Sequence, residues 1–242
     1  PSVDGTYALG TVVTLTAVPN GPSDVLIRWA GAAPVDSLTV SVVMDIHRSV
    51  TAMFSPAIEI NSLADLARIG NEPDYPLAAS YVLTADIDAS ATAGWNDADT
   101  DTDVLEGFKP IGTSNPDNSG FRGIFDGNGH TISGLIINRP GANDVGLFGC
   151  VGVGGRVRNL GLVGGAVTGY DRVGGLVGYN YSGTVSNCYA TGAVTGNQYV
   201  GGLVGYNYSG TVSYSGTVSD CYATGAVTGD DSIGGLVGYN DF

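Results

Sequence analysis

Basic residues are nearly missing from this 242-residue chain. Nine of them, including a single lysine, Lys109, stand against 23 acidic residues, for a net charge of −14. A surface of that sign repels nucleic acid and anionic membranes, so neither is expected as a partner. Long apolar runs are also lacking. None reaches the roughly 20 residues of a membrane-spanning helix, and no membrane insertion is expected. No signal peptide opens the chain, which is the expectation for a mature product or a proteolytic fragment. Three cysteines give no disulfide framework and do not fix the redox compartment. Two histidines, His47 and His130, with no H-E-x-x-H, G-x-S-x-G or phosphate-loop pattern, leave little from which to build a catalytic site.

What the chain has in excess is glycine, and 26 of its 39 glycines lie after Pro140. They belong to a repeat. Residues 173–180 and 200–207 both read V-G-G-L-V-G-Y-N, residues 233–240 read I-G-G-L-V-G-Y-N, and a looser copy, V-G-L-F-G-C, occupies 145–150. Between copies runs S-G-T-V-S-(N/D)-C-Y-A-T-G-A-V-T-G, at 182–196 and 215–229. Matching glycines at 146, 175, 202 and 235 are 29, 27 and 33 residues apart, and the last interval is lengthened by an immediate duplication of Y-S-G-T-V-S at 208–219. Such a period means a solenoid or a propeller. Each unit holds only short β-prone pieces separated by glycine, too little for a four-stranded blade, so each unit reads as one coil of a parallel β-helix.

The G-G-L-V-G-Y-N and G-x-V-x-N-C-Y-A-T-G-x-V-x-G phrases resemble the GLUG motif of bacterial surface proteins, seen also in regions of large secreted peptidases. The likeness covers residues 145–242. It implies a β-solenoid and an extracellular setting, and of itself no catalytic residue.

Residues 1–56 read as a separate small β module. Alternating or β-branched runs at 11–17, 25–29, 38–43 and 50–54 are parted by turns at Asn20-Gly21-Pro22 and at 31–34. The phrases G-T-Y-x-x-G-T-x-V-T-L-T-A-x-P, W-x-G and S-V-T-A-M-F resemble a divergent InlB-type B-repeat over residues 5–54. Only four residues precede Gly5, where such repeats usually carry a strand. Either the boundary cuts the module or a neighbouring chain supplies that strand by β-augmentation. Residues 57–242 are expected to form the β-helix. A helix at 61–70 is expected to cap it, with Asn61 or Ser62 at its N-terminus, Leu63, Leu66, Ala67 and Ile69 as its apolar face, and Gly70 at C′. Residues 81–87 read as a strand, and 121–138 as two strands about the tight turn Asp126-Gly127-Asn128-Gly129. The fold expected is therefore all-β: a right-handed parallel β-helix with a small N-terminal β module and a short capping helix.

Aligning the repeats puts Cys188 and Cys221 where the first coil has Leu160, an inward column of reduced core thiols, with Cys150 in the place of Tyr179 and more exposed. Tyrosines form columns: Tyr179, Tyr206 and Tyr239; Tyr181 and Tyr208; Tyr189 and Tyr222, the last pair turned outward. Such a face could hold sugar rings or pack against another fibre, or simply stack like on like to stabilise the coils. In the loop N-D-A-D-T-D-T-D, the alternate carboxylates Asp97, Asp99, Asp101 and Asp103 could gather around a structural calcium ion, Ca²⁺, or be a solvated acidic insertion.

These features point to a non-catalytic extracellular surface protein: a stalk, an adhesin segment or a self-assembling fibre at the cell surface. The alternatives are a carbohydrate-binding β-helix and a polysaccharide-degrading enzyme on the same fold. The chain stops just after the opening phrase of a further unit, without a polar cap. The expectation is a piece of a longer protein, or a homo-polymer joined head to tail through open β-helix ends. Glycans and host or cell-surface proteins are the other partners expected.

Overall fold

The computed structural model describes residues 7–19, 21, 24–32, 38–45, 49–96, 105–113, 120–209 and 216–241. The chain divides into two compact units, Pro1–Ala57 and Ile58–Phe242.

In the first unit β-branched residues alternate with polar ones, and the strands pair antiparallel in two ribbons. Thr11–Thr16 lies against Thr39–Met44, and Asp24–Ala30 against Thr51–Pro56, with a register shift between Leu26 and Arg28. The inward members Ala17, Leu26, Trp29, Val40 and Val42 make its core.

The second unit is a β-solenoid of about four turns, built from five parallel sheets. The first sheet stacks Ile58–Ile60, Ser80–Leu83, Ile124–Asp126, Arg156–Arg158, Thr184–Ser186 and Thr217–Ser219. In the second lie Ile87–Asp88, Thr131–Ser133, Gly161–Val163, Tyr189–Ala190 and Tyr222–Ala223. The third holds Ile136–Asn138, Ala166–Thr168, Ala193–Thr195 and Val227–Thr228. The fourth holds Asp171–Gly174, Gln198–Gly201 and Asp231–Gly234, and the fifth Phe148–Val151, Val177–Tyr181, Val204–Tyr208 and Val237–Asp241. The chain visits the sheets in that order once per coil. Coil 1 spans residues 124–151, coil 2 156–181, coil 3 184–208 and coil 4 217–241. In coil 1 the fourth sheet is represented by one parallel bridge, Val145 to Val173.

Like residues meet like across the coils. Val173, Val200 and Ile233 are in register, as are Val177, Val204 and Val237. The six duplicated residues do not disturb this. Thr217 pairs with Thr184 and Asp241 with Tyr208, so the extra length falls between Tyr208 and Thr217. Val173, Leu176, Val177, Val185, Val200, Leu203 and Val204 are fully buried, each stabilising the fold by about 1.5–3 kcal/mol relative to exposure. The doubled glycine of G-G-L-V marks the corner between the fourth and fifth sheets. A Cβ on Gly174 would meet the Val177 carbonyl oxygen at 2.2 Å, and one on Gly201 the Val204 oxygen at 2.0 Å. No side chain fits there.

An asparagine ladder runs inside the fifth sheet. Asn180 Nδ2 donates to Gly183 O (3.1 Å) and to Asn207 Oδ1 (2.7 Å). Asn207 Nδ2 repeats the pattern, to Gly216 O (3.0 Å) and Asn240 Oδ1 (2.7 Å). The coil 1 residue in register with Asn180 is Val151, and Asn180 Oδ1 has no hydrogen-bond partner.

The helix spans Leu63–Arg68. Ser62 Oγ accepts from the Asp65 backbone N–H (3.2 Å), and Gly70 follows at φ +77°. Leu66 and Ile69 join the same core as Ile60 and Tyr81. Three readings need correction. The 81–87 run breaks into Ser80–Leu83 and Ile87–Asp88, because the chain turns there from the first sheet to the second. Residues 121–138 hold three short strands, Ile124–Asp126, Thr131–Ser133 and Ile136–Asn138, and not two, and the turn at 126–129, with Asn128 and Gly129 at positive φ, is the corner between the first sheet and the second. Cys150 is buried, at 4 % exposure, because Gly120 and Phe121 lie against it: a Cβ on Gly120 would be 3.0 Å from its Sγ, and the Phe121 N–H donates to its carbonyl oxygen at 2.8 Å. A 3₁₀ helix, Ser90–Gly94, has no signal in the sequence reading.

Candidate functional site

The most prominent surface feature is a face of tyrosines on the fifth sheet, and local backbone geometry makes it. In V-G-Y-N-Y Val177, Gly178 and Asn180 are buried, two in succession and then one after a gap, so the strict alternation of a strand slips by one at Gly178. That slip leaves Tyr179 and Tyr181 half-buried on the outside, and Tyr206 and Tyr208 repeat them one coil later.

Five of the seven tyrosines singled out in the sequence converge here. Tyr179 and Tyr206 have ring centroids 5.3 Å apart, Tyr206 and Tyr239 5.2 Å at 5° between planes, and Tyr181 and Tyr208 5.4 Å at 8°. A sixth ring, Tyr199, was missed. It stands 5.2 Å from both Tyr206 and Tyr239. Tyr199 occupies the second position of its fourth-sheet strand, held by Arg172 in the preceding coil and Ser232 in the following one, each in the left-handed region at φ 51–55°. The residue type changes at every coil, so no column announces it. The remaining two, Tyr189 and Tyr222, are a separate pair on the second sheet, stacked at 5.0 Å and 1°. The Tyr189 ring lies over Gly161, where a Cβ would be 2.4 Å from it.

Charge borders the face at both ends. Arg172 sits 5.0 Å from the Tyr179 ring centroid while its Nε donates to Asp144 Oδ1. Burial opposes the Arg172 charge, but the bond to Asp144 and the charges of Asp144 and Asp171 outweigh it and raise its pKa. Asp171 is itself raised by burial, with Asp144 adding to the shift against the pull of Arg172. At the other end Tyr206 Oη donates to Asp241 Oδ2 (3.0 Å), and burial together with that carboxylate pushes the Tyr206 phenol up to about 12. Burial also raises Tyr179. Tyr179 and Tyr206 are therefore neutral near pH 7.

Stacking limits what such a face can do. A ring packed against the next coil's ring offers its edge and hydroxyl, not its π face, to a ligand. Tyr239, at 42 % exposure, is more exposed than the other rings of the face, which are half-buried. The face is therefore foremost a row of hydroxyls on an aromatic spine.

The other candidates resolve as follows. Asp97, Asp99, Asp101 and Asp103 lie outside the described residues. Among the described residues no group of three His, Cys, Asp or Glu is placed to hold a metal, and no helix is long and apolar enough to cross a membrane. Cys188 is buried beside Leu160, as its column required, and burial raises its thiol pKa; Cys221 is half-buried and held below its ordinary value by its hydrogen bond with Cys188. No disulfide joins them. His130 Nδ1 lies 3.3 Å from Asp86 Oδ1 at the corner after Asp126.

With this geometry in place, the family model for the GLUG motif matches residues 169–195 and 196–228, two consecutive coil-length units. The chain carries the GLUG motif twice. Over 135 residues, 55 % of the chain, it is 46 % identical to halomucin from Haloquadratum walsbyi. Over 85 residues, 34 % of the chain, it is 45 % identical to a proposed Gly-rich membrane protein from Evansella cellulosilytica. It spans only 1 % and 9 % of those two relatives. In fold it is similar to the crystal structure of a proposed immunoglobulin A1 protease from Bacteroides ovatus, with a TM-score of 0.58 and 18 % identity over 77 % of this chain and 62 % of that one. At that identity the likeness is one of fold alone.

Proposed function

We propose that this chain is a non-catalytic segment of an extracellular, cell-surface protein, acting as a stalk, an adhesin segment or part of an assembling fibre. The observation that carries the reading is the in-register stacking of like residues through coils 2 to 4. Each coil is completed by its neighbours, so stability accumulates along the stack, which suits a spacer of variable length. The GLUG matches and the names of the halomucin and Gly-rich membrane relatives support a surface setting. The acidic charge, spread over a β-rich and repetitive chain, favours solubility outside the cell. Its partners on this reading are further copies, joined through solenoid edges or by β-augmentation of the first unit, and glycans or proteins of a cell surface.

A second reading, a carbohydrate-binding module, is favoured by the hydroxyl row of Tyr179, Tyr181, Tyr199, Tyr206, Tyr208 and Tyr239. The test is to screen the purified chain against a glycan array and a panel of polysaccharides. The structural reading expects neither saturable retention nor product. Saturable binding that disappears in the Tyr179→Ala/Tyr206→Ala/Tyr239→Ala triple variant would replace it with the module, and turnover would replace it with an enzyme. Negative-stain electron microscopy at rising concentration then separates a fibre subunit, which grows filaments, from a stalk segment, which stays dispersed.

A further inference from the structure

Two tripeptides of the repeat, Asn180-Tyr181-Ser182 and Asn207-Tyr208-Ser209, have the N-x-S form of acceptors for N-linked glycans. Their surroundings are not those of an acceptor. Asn180 is 0 % and Asn207 4 % exposed. Each amide also has both hydrogens committed: Asn180 Nδ2 to Gly183 O and Asn207 Oδ1, and Asn207 Nδ2 to Gly216 O and Asn240 Oδ1.

We propose that glycan transfer and solenoid closure are mutually exclusive at these two asparagines, so that the tripeptides are a fold-blocking modification site in the open chain and silent in the closed one. Transfer from a lipid-phosphate-linked oligosaccharide would form a bond between Nδ2 and the sugar C1, break the C1–O bond to the lipid phosphate, and release one amide proton. The product amide keeps a single N–H. It can satisfy either its own turn carbonyl or the next coil's amide oxygen, but not both, and the buried acceptor left over loses its donor. The sugar itself has no room at side chains as buried as these. Coil 1 has Val151 and coil 4 Asn240-Asp241-Phe242 at the matching positions, neither of which has the acceptor form. The exclusion is thus confined to coils 2 and 3, where the ladder starts.

The experiment treats the full chain with a purified oligosaccharyltransferase and its lipid-linked donor, then reads intact mass and protease resistance. A Gly192→Val/Gly225→Val variant serves as the open chain, because a Cβ at those positions would meet the carbonyl oxygens of Gly164 at 2.3 Å and Gly192 at 1.8 Å. The expected result is no glycan on the protease-resistant wild type, and one or two glycans on the protease-sensitive variant that vanish when Ser182→Gly and Ser209→Ala are added. Glycan on Asn180 or Asn207 of protease-resistant protein would overturn the proposal. So would an open chain that accepts no glycan, since the tripeptides would then be silent in every state.

Discussion

Coil 1 and coil 3 solve the same packing problem by different means. Coil 1 and the segments before it fill their core with large rings that interlock without repeating: Phe121 to Phe148 at 5.1 Å and Phe125 to Phe148 at 5.3 Å, with Tyr81 6.1 Å from Phe121. One ionic tie between coils 1 and 2, Arg158 Nε to Asp126 Oδ2 at 2.9 Å, has an arginine only 2 % exposed, and in the later coils Ser186 and Ser219 take its register position. Coil 3 uses valine, leucine, alanine and asparagine, each set on its own copy one coil away. The first coil is a jigsaw, whose pieces have no substitutes; the third is a ladder, whose rungs are interchangeable. A solenoid needs something like the jigsaw where it begins, because the first coil has no identical neighbour to template it.

The largest expected effect tests the jigsaw. Phe125→Ala removes a fully buried ring from the aromatic cluster and should cost about 3–5 kcal/mol in urea unfolding. Val185→Ala, in register with Val157 and Val218, deletes far fewer atoms and should cost about half as much or less. Equal costs would mean that coils 1 and 3 are held alike after all.

Next comes the ladder. Asn207→Ala strands one hydrogen of Asn180 and leaves Gly216 O and Asn240 Oδ1 without their donor, for an expected loss of about 2–3 kcal/mol. Asn240→Ala, at the exposed end, should cost about 1 kcal/mol or less. The Asn180→Val/Asn207→Val double variant should recover part of the Asn207→Ala loss, because Val151 already fills that position in coil 1. An inert Asn207→Ala would show that the rungs do not carry load.

Alkali should act on both parts. Cys150 in coil 1 is pushed from 9.0 up to about 12, first by burial and then by Asp144, and Tyr206 in coil 3 from 10.0 up to about 12. Both pKa values are higher folded than unfolded, so the unfolded chain gives up its protons first. The stabilisation they contribute is complete below about pH 9 and is lost as pH rises through 9 to 12. Urea midpoints followed from pH 7 to 11 should stay flat and then decline, and Cys150→Ala should flatten the part of the decline nearest pH 9. A decline that begins below pH 8 would point to groups other than these.

How much of this could be read from the sequence follows the same division. In coils 2 to 4 the columns were legible, because a side chain that recurs at one register position must meet itself when coils stack; the valine, cysteine and tyrosine columns follow directly. Elsewhere the signal was missing for physical reasons. Cys150 reads as an exposed counterpart of Tyr179, yet it is buried with Gly120 and Phe121 against it, a contact that no repeat encodes. Tyr199 depends on a left-handed backbone shared with Asp144, Arg172 and Ser232, four residues with no chemistry in common. Strict alternation from Val177 would have put Tyr179 inside and Asn180 outside, and only the slip at Gly178 reverses them.

The smallest effect asks whether the outer columns bind the coils together at all. Tyr189 and Tyr222 stack at 5.0 Å and 1°, but Tyr222 is 54 % exposed, so the pair has little burial to confound it. A double-mutant cycle with Tyr189→Ala and Tyr222→Ala should give a coupling of about 0.5–1.5 kcal/mol if ring contact across coils is stabilising. The Tyr206 and Tyr239 pair, at 5.2 Å and 5°, should couple by a similar amount. Coupling indistinguishable from zero in both cycles would mean that like stacks on like here only because the sequence repeats. The tyrosine face would then be under no structural obligation, and its hydroxyl row would stand as a surface free to serve a ligand.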